Sequence, residues 1–484
     1  MEVDYIFEDV KVRKSSAPIY TLNGEEIDIW SDEYINYHSK SIVDYVREAL
    51  LKYEKEGKDP FPEIVGKESE KEMVKNALMS GSNILFKGKK GYGKTTFSKA
   101  IAKLLPEKLL AIKGCKVHDD PTRPTCFSCK RKILEKDRVE LTWFPRKWIR
   151  IPGDPMMTTR QLIGGISIQK IKEGYDLDHP EVFSPGRLLK AHRGMAYFDE
   201  LGAIPSALQT LLHELFEEKQ ITTPEGDIIP MRIDTITIAS TNPANYRGTA
   251  DIKEPLLDRM EEIPIGPPAT IEEEIEIGLR NMTLKKGAEI PYWHLKILAT
   301  IVRLARDKEG KIGSKIEFEP SCRATIKLFD HVRASAIRKG RSSVMLLDYG
   351  CKYETIKLGL RSRLGLEYED ENEKDKVIEK LADEAINKVC MEVYAKIPRT
   401  EFSMLMEELA DMSSRNPIDV SKKINLERYP AVLRVIRKIT SNRKEFYSAF
   451  EILIESIRRC TGLIEKVDPD KYVCTGYSSR KTRM

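Results

Sequence analysis

The chain is poor in the features that mark several large protein classes. Eight cysteines in 484 residues are too few for a disulfide-built scaffold, and only Cys115, Cys126 and Cys129 fall close together. A reducing compartment is therefore expected. No stretch approaches the roughly 18 consecutive apolar residues of a membrane span, so no membrane partner is expected. The opening Met-Glu-Val-Asp has neither a basic n-region nor an apolar h-region. No secretory leader is expected, and the reading is a cytoplasmic protein. Charge of one sign is also scarce: 81 Lys and Arg face 76 Asp and Glu, a net +5, which does not by itself select a nucleic-acid partner. Internal repeats and low-complexity tracts are missing.

What is present is a foldable composition, 41% hydrophobic and 32% charged, over a length that suits roughly three to four domains. Residues 1–58 read as an α+β extension, with Asn23-Gly24 as a hairpin turn and an amphipathic helix at 41–54. Residues 59–268 read as an α/β core: a helix at 69–78, strands at 83–87, 195–199 and 233–240, and a helix at 94–105. That alternation implies a parallel sheet. Residues 269–366 are helical in pattern. Residues 367–484 open with a charged linker at 367–371 and continue as amphipathic helices to a short basic tail.

The strongest motif is Gly88-Lys89-Lys90-Gly91-Tyr92-Gly93-Lys94-Thr95, followed by Thr96. It fits G-x-x-x-x-G-K-[ST] between an apolar strand and a helix, the context such a loop requires. Gly88, Gly91 and Gly93 let backbone N–H groups turn inward around phosphates, and the helix N-terminus adds positive potential. Lys94 is placed to reach the β- and γ-phosphates, and the Thr95 hydroxyl to bind Mg²⁺. ATP and Mg²⁺ are therefore the expected cofactors. The apolar run ending in Asp199-Glu200 puts one carboxylate near the metal and one near an attacking water, although strand-end acid pairs are also common without a catalytic role. Asn242, at the end of the next strand, is assigned to hold that water; the alternative is an Asn in a turn before Pro243. Arg259, in Leu256-Leu257-Asp258-Arg259, is read as an arginine finger for a neighbouring subunit. Its competitor is a surface salt bridge.

These elements, in this order, resemble an AAA+ ATPase. The run Phe183-Ser184-Pro185-Gly186-Arg187-Leu188-Leu189-Lys190-Ala191-His192-Arg193-Gly194 before the Asp199 strand narrows the likeness to the magnesium chelatase subunit I and MoxR-like group. Ile64-Val65-Gly66, Gly164-Gly165-Ile166-Ser167-Ile168 and the cysteine-bearing insert after Leu105-Pro106 agree with it. The resemblance spans residues 59–366. It implies a five-stranded parallel P-loop NTPase core with a helical lid, and a homo-oligomeric, hexameric ring with ATP at its interfaces. It also implies a second-helix insert at 158–175 and a hairpin at 220–232. Arg323 would be the lid arginine that contacts phosphate, against the plainer reading that it sits exposed beside an N-capping Ser321. Arg193 is read as an interface residue or as the partner of an acid.

The implied activity is ATP hydrolysis coupled to remodelling of a protein partner, either a chelatase complex with an adhesion-domain (VWA) protein or a chaperone client. No Asp-x-Ser-x-Ser adhesion motif and no Ser–Lys protease region occur in the chain, so the metal-insertion role is not fixed by the likeness. The alternative is an MCM-like nucleic-acid translocase. The hairpin tip, Pro224-Glu225-Gly226-Asp227, is acidic where phosphate contacts would need Lys or Arg, which favours the protein partner. Trp143-Phe144-Pro145-Arg146-Lys147-Trp148 can stack bases but more commonly packs onto its own domain.

Cys115, His118, Cys126 and Cys129 form C-x2-H-x7-C-x2-C. The spacing leaves three readings open: a tetrahedral Zn²⁺ site, free thiols, or a redox-responsive C-x-x-C pair.

Overall fold

The computed structural model describes residues 4–7, 10–13, 18–175, 182–218, 233–242, 252–366 and 370–475. The chain divides into two compact units, Met1–Gly266 and Pro267–Met484.

The first unit is built on five strands: β1 (Asn83–Lys87), β2 (Trp148–Pro152), β3 (Gly194–Asp199), β4 (Thr235–Thr241) and β5 (Met260–Pro264). They lie in the order β5–β1–β4–β3–β2, all parallel. The three central strands are buried almost throughout, which is why they read as continuous apolar or β-branched runs. The edge strands behave differently. In β5 only Met260 and Ile263 are buried, and β2 carries an arginine at its centre. Helix α1 (Ile42–Glu56) is capped by Ser41 and stopped by Gly57; α2 (Glu68–Ser80) is stopped by Gly81. Helix α3 (Lys94–Ala102) follows β1 and packs Phe97 against Phe61 and Phe86.

A second sheet forms beside the insert. Glu25–Glu26, Ile19–Leu22, Arg138–Pro145 and Lys108–Ile112 are adjacent in that order. The Asn23-Gly24 turn has positive φ at both residues, as a tight hairpin of this hand requires. Ile19–Leu22 then pairs in parallel with Arg138–Pro145, so the amino-terminal segment completes the insert's sheet. Trp143 lies on that strand with Lys108 above its ring, while Trp148 belongs to β2 and stacks on Tyr197 of β3. Helix α4 (Phe127–Glu135) crosses this region, and α5 (Ser206–Glu218) follows β3. The hairpin at 220–232, with its acidic tip, lies outside the described residues.

The second unit is mainly helical. Its principal helices are α6 (Ile271–Asn281), α7 (Tyr292–Arg306), α8 (Cys322–Arg338), α9 (Glu371–Ala395) and α10 (Phe446–Thr461). One apolar cluster runs through it from Ile275 to Tyr472. Part of the charged run expected as a linker is structured: Asp370 caps α9, which begins at Glu371. The reading of the last hundred residues as helices alone needs correcting, because Ile464–Asp468, Lys471–Cys474 and Ile418–Asp419 form an antiparallel sheet. Among the described residues, no helix is long and apolar enough to cross a membrane.

Candidate functional site

The loop between β1 and α3 has the backbone that its sequence demands. Gly91 and Gly93 sit at φ +87° and +95°, in the left-handed region that side chains disfavour. A Cβ on Gly88 would stand 2.1 Å from the Ile265 carbonyl oxygen, so only glycine fits there. Tyr92 is buried within the loop, and Thr96 is exposed on the first turn of α3. Lys94 is buried, and its ammonium donates to the carbonyls of Gly88 and Lys89 and to Asn242 Oδ1 at 3.3 Å. Asn242 thus reaches the loop lysine across 148 residues of sequence.

Thr95 and Asp199 meet through a hydroxyl relay that the sequence reading missed. Tyr197 Oη lies 3.1 Å from Thr95 Oγ1, 3.2 Å from Asp199 Oδ1 and 3.1 Å from Ser240 Oγ. Burial pushes the Tyr197 hydroxyl up to about 12, so it remains protonated at neutral pH. Ser240 also accepts the Glu200 N–H at 3.2 Å. Period two provides the signal for Tyr197: it stands two residues before Asp199 and shares its face. Ser240 is likewise a hydroxyl near the end of a fully buried strand.

Glu200 adopts φ +65°, ψ +61°, a conformation that costs a non-glycine residue about 1–3 kcal/mol. Gly153 allows it: a Cβ there would lie 1.9 Å from the Glu200 carbonyl oxygen. Lys90 pairs with the Glu200 carboxylate at 3.4 Å. The second missed residue is Arg150, which β2 places opposite Tyr197. Its guanidinium donates from Nε to Asp199 Oδ2 at 2.9 Å, while Nη1 of Arg187 donates to the Arg150 carbonyl.

Arg259 is held within its own subunit, donating to Glu217 at 2.9 Å and to the Pro255 carbonyl. Arg323 belongs to the second unit, exposed in the first turn of α8, where its backbone N–H donates to Ser321 Oγ. The capping geometry at Ser321 is therefore present. Arg193 is an internal residue. It pairs with Asp120 at 3.4 Å and donates to the carbonyls of Leu110, His118 and His38, so the acid-partner reading holds and the interface reading is corrected.

Cys115, Cys126 and Cys129 converge, with their sulfurs all within 4.8 Å of one another. His118 does not join them. Its ring stacks on Phe144 at 4.9 Å, and its backbone has positive φ. The four-ligand set is corrected to three thiols.

Residues 130–260 match the model of the AAA domain (dynein-related subfamily). The acid pair at the end of β3 lies within that match, and the glycine loop after β1 precedes it. The first unit has the AAA+ P-loop fold. Its curated relatives include the magnesium-chelatase subunit ChlI homolog of Methanocaldococcus jannaschii, 31% identical over 251 residues, covering 47% of this chain and 66% of that protein. The magnesium-chelatase 38 kDa subunit of Acidiphilium rubrum is 27% identical over 236 residues, covering 46% and 63%. The chain thus spans just under two thirds of the length of these relatives. Among solved structures, a model of the complex between subunits BchI and BchD of magnesium chelatase is 21% identical, covering 66% of this chain and 98% of that one at a TM-score of 0.34. That overlay is too loose to add to the fold reading.

Proposed function

We propose that this chain is an Mg²⁺-dependent ATPase that works as a homo-oligomeric, hexameric ring and remodels a protein partner, in the manner of a chelatase motor or a MoxR-like chaperone. The observation that carries the reading is the convergence of Lys94, Thr95, Asp199, Glu200 and Asn242 at the ends of β1, β3 and β4. The donor set fits a magnesium nucleotide: positive-φ glycines, a helix N-terminus, a buried ammonium, and a hydroxyl linked to a carboxylate through Tyr197. Bound Mg-ATP supplies the phosphoanhydride and the cation.

In this reading Lys94 neutralises the phosphates, and Thr95 and Asp199 hold the cation and its water shell. Glu200 polarises the attacking water, and Asn242 orients it while anchoring Lys94. Arg259, released from Glu217, acts on the neighbouring subunit's site. Arg323 couples nucleotide state to the lid at 269–366. A protein partner is favoured by the second-helix insert, which exposes Ile166, Ile168 and Ile171. Of its basic residues, Lys170 is already paired with Glu173.

The test is the ATPase rate of the wild type and of Glu200→Gln, alone, with single-stranded DNA, and with purified adhesion-domain protein. Expected is a loss of at least about a hundredfold in the variant with nucleotide binding kept, and stimulation by protein alone. Stimulation by DNA would replace this reading with a translocase. Equal rates for variant and wild type would remove Glu200 from the chemistry.

A further inference from the structure

The three thiols of the insert are brought together by elements other than the glycine loop. Cys115 lies in the turn after strand Lys108–Ile112. Cys126 precedes the first residue of α4, and Cys129 lies in its first turn. Cys129 is fully buried, Cys115 nearly so, and Cys126 half-buried. The Cys115 and Cys126 sulfurs stand 3.8 Å apart. A disulfide would need about 2.05 Å between them. Sulfurs at two corners of a zinc tetrahedron, each about 2.3 Å from the metal, are separated by about 3.8 Å.

The surrounding loop is held in this shape by Asp119, which is fully buried. Its Oδ2 accepts the backbone N–H groups of Thr125 and Cys126, each at 2.7 Å. Its Oδ1 accepts the Thr125 hydroxyl and the Asp120 N–H and faces His192 Nε2 at 3.3 Å. The His192 tautomer follows from its other nitrogen: Nδ1 accepts the Asp234 N–H, which leaves the ring proton on Nε2, toward Asp119. The Asp119 backbone N–H also donates to Cys115 Sγ at 3.4 Å, a bond that favours a thiolate. Asp119 is therefore committed to positioning Cys115 and Cys126, and its oxygens are already occupied. With His118 stacked on Phe144, the described residues offer three soft ligands here and an outer shell that orients them.

We propose that Cys115, Cys126 and Cys129 bind one thiophilic divalent cation, Zn²⁺ being the fitting ion, as a three-thiolate site whose fourth position is filled by solvent. Soft thiolates select such an ion over Mg²⁺. The ion ties the turn at 113–118 to the first turn of α4 and so fixes the insert against its sheet. The proposal is independent of the ATPase reading.

The experiment uses the full chain purified under reducing conditions without chelator. Expected is about one zinc per chain by elemental analysis. Cobalt exchanged into the site should give a sulfur-to-metal charge-transfer band in the near ultraviolet. His118→Ala should keep both signals, and Cys129→Ser should lose both. Because Cys129→Ser can fail to fold, thiol titration of the wild type supplies a second measurement. Stripping the metal with a strong chelator should expose about three additional reactive thiols. Loss of metal in His118→Ala as complete as in Cys129→Ser would overturn the three-thiolate assignment. A wild type without zinc, with these thiols freely reactive or joined as a disulfide, would overturn the site altogether.

Discussion

Arg150 and Asp199 form an ion pair across two adjacent parallel strands, with Arg150 Nε donating to Asp199 Oδ2 at 2.9 Å. The acid assigned to support Mg²⁺ thus already has a cation against it. Arg150 is just over half exposed, and Asp199 about one-fifth. Metal and guanidinium compete for one carboxylate. Removing the guanidinium in Arg150→Ala should therefore tighten Mg²⁺ binding. An exposed pair is worth up to about 1 kcal/mol, so the Mg²⁺ concentration for half-maximal ATPase activity should fall about three- to fivefold. A magnesium titration at saturating ATP reads this directly. An unchanged or raised midpoint would mean that the pair is not in competition with the metal.

Arg259 is paired with Glu217 in its own subunit, so its proposed role on a neighbour requires that pair to open. Arg259→Ala and Lys94→Ala should each be inactive alone. In randomly mixed rings, a site is intact only where one subunit contributes Lys94 and the next contributes Arg259. Equal mixing should restore about one quarter of the wild-type rate. No recovery, with mixed rings verified by mass, would leave Arg259 as a surface ion pair.

Gly88 is confined by the Ile265 carbonyl, 2.1 Å from where a Cβ would stand. Gly88→Ala should cost about 1–3 kcal/mol and weaken nucleotide binding, because strand and loop must shift together. Gly266→Ala is the control, since nothing lies within 4 Å of its added Cβ. Urea midpoints followed by tryptophan fluorescence compare the two. Equal midpoints would show that β1 and β5 can part without cost.

Glu455 in α10 offers a pH test within the second unit. Burial alone would raise its carboxyl, but the Arg458 and Arg459 guanidiniums overcome that and hold it at about 2, below the ordinary 4.5. The folded form binds its proton less readily than the unfolded chain does. Its contribution is therefore full above pH 4.5 and is lost as pH falls toward 2, and it amounts to about 3 kcal/mol. Glu455→Gln should lower the amide-exchange protection of α10 at pH 7 and match the wild type near pH 2. Equal protection at pH 7 would mean the arginines find other partners.

The parts of the fold legible in the sequence were those with local causes. Three central strands announced themselves because burial on both faces leaves a continuous apolar run. The glycine loop and the acid pair announced themselves because phosphate and metal chemistry fixes residue type at short spacing. The edge strands β2 and β5 did not, since an edge is only partly buried: β5 buries Met260 and Ile263 alone, and β2 carries Arg150 at its centre.

The sequence by itself determined the phosphate loop, the acid pair and the likeness to AAA+ ATPases, all written within runs of a dozen residues or fewer. The tertiary structure alone decided what meets across longer separations. It set Arg150 on Asp199, Tyr197 between Thr95 and Asp199, and Ile19–Leu22 alongside Arg138–Pro145. It also turned His118 onto Phe144 while closing three thiols together, a choice that C-x2-H-x7-C-x2-C left open. The physical reason is common to these cases: spacing limits which ligands are within reach, but the direction of each side chain is set by the sheet and helix beneath it.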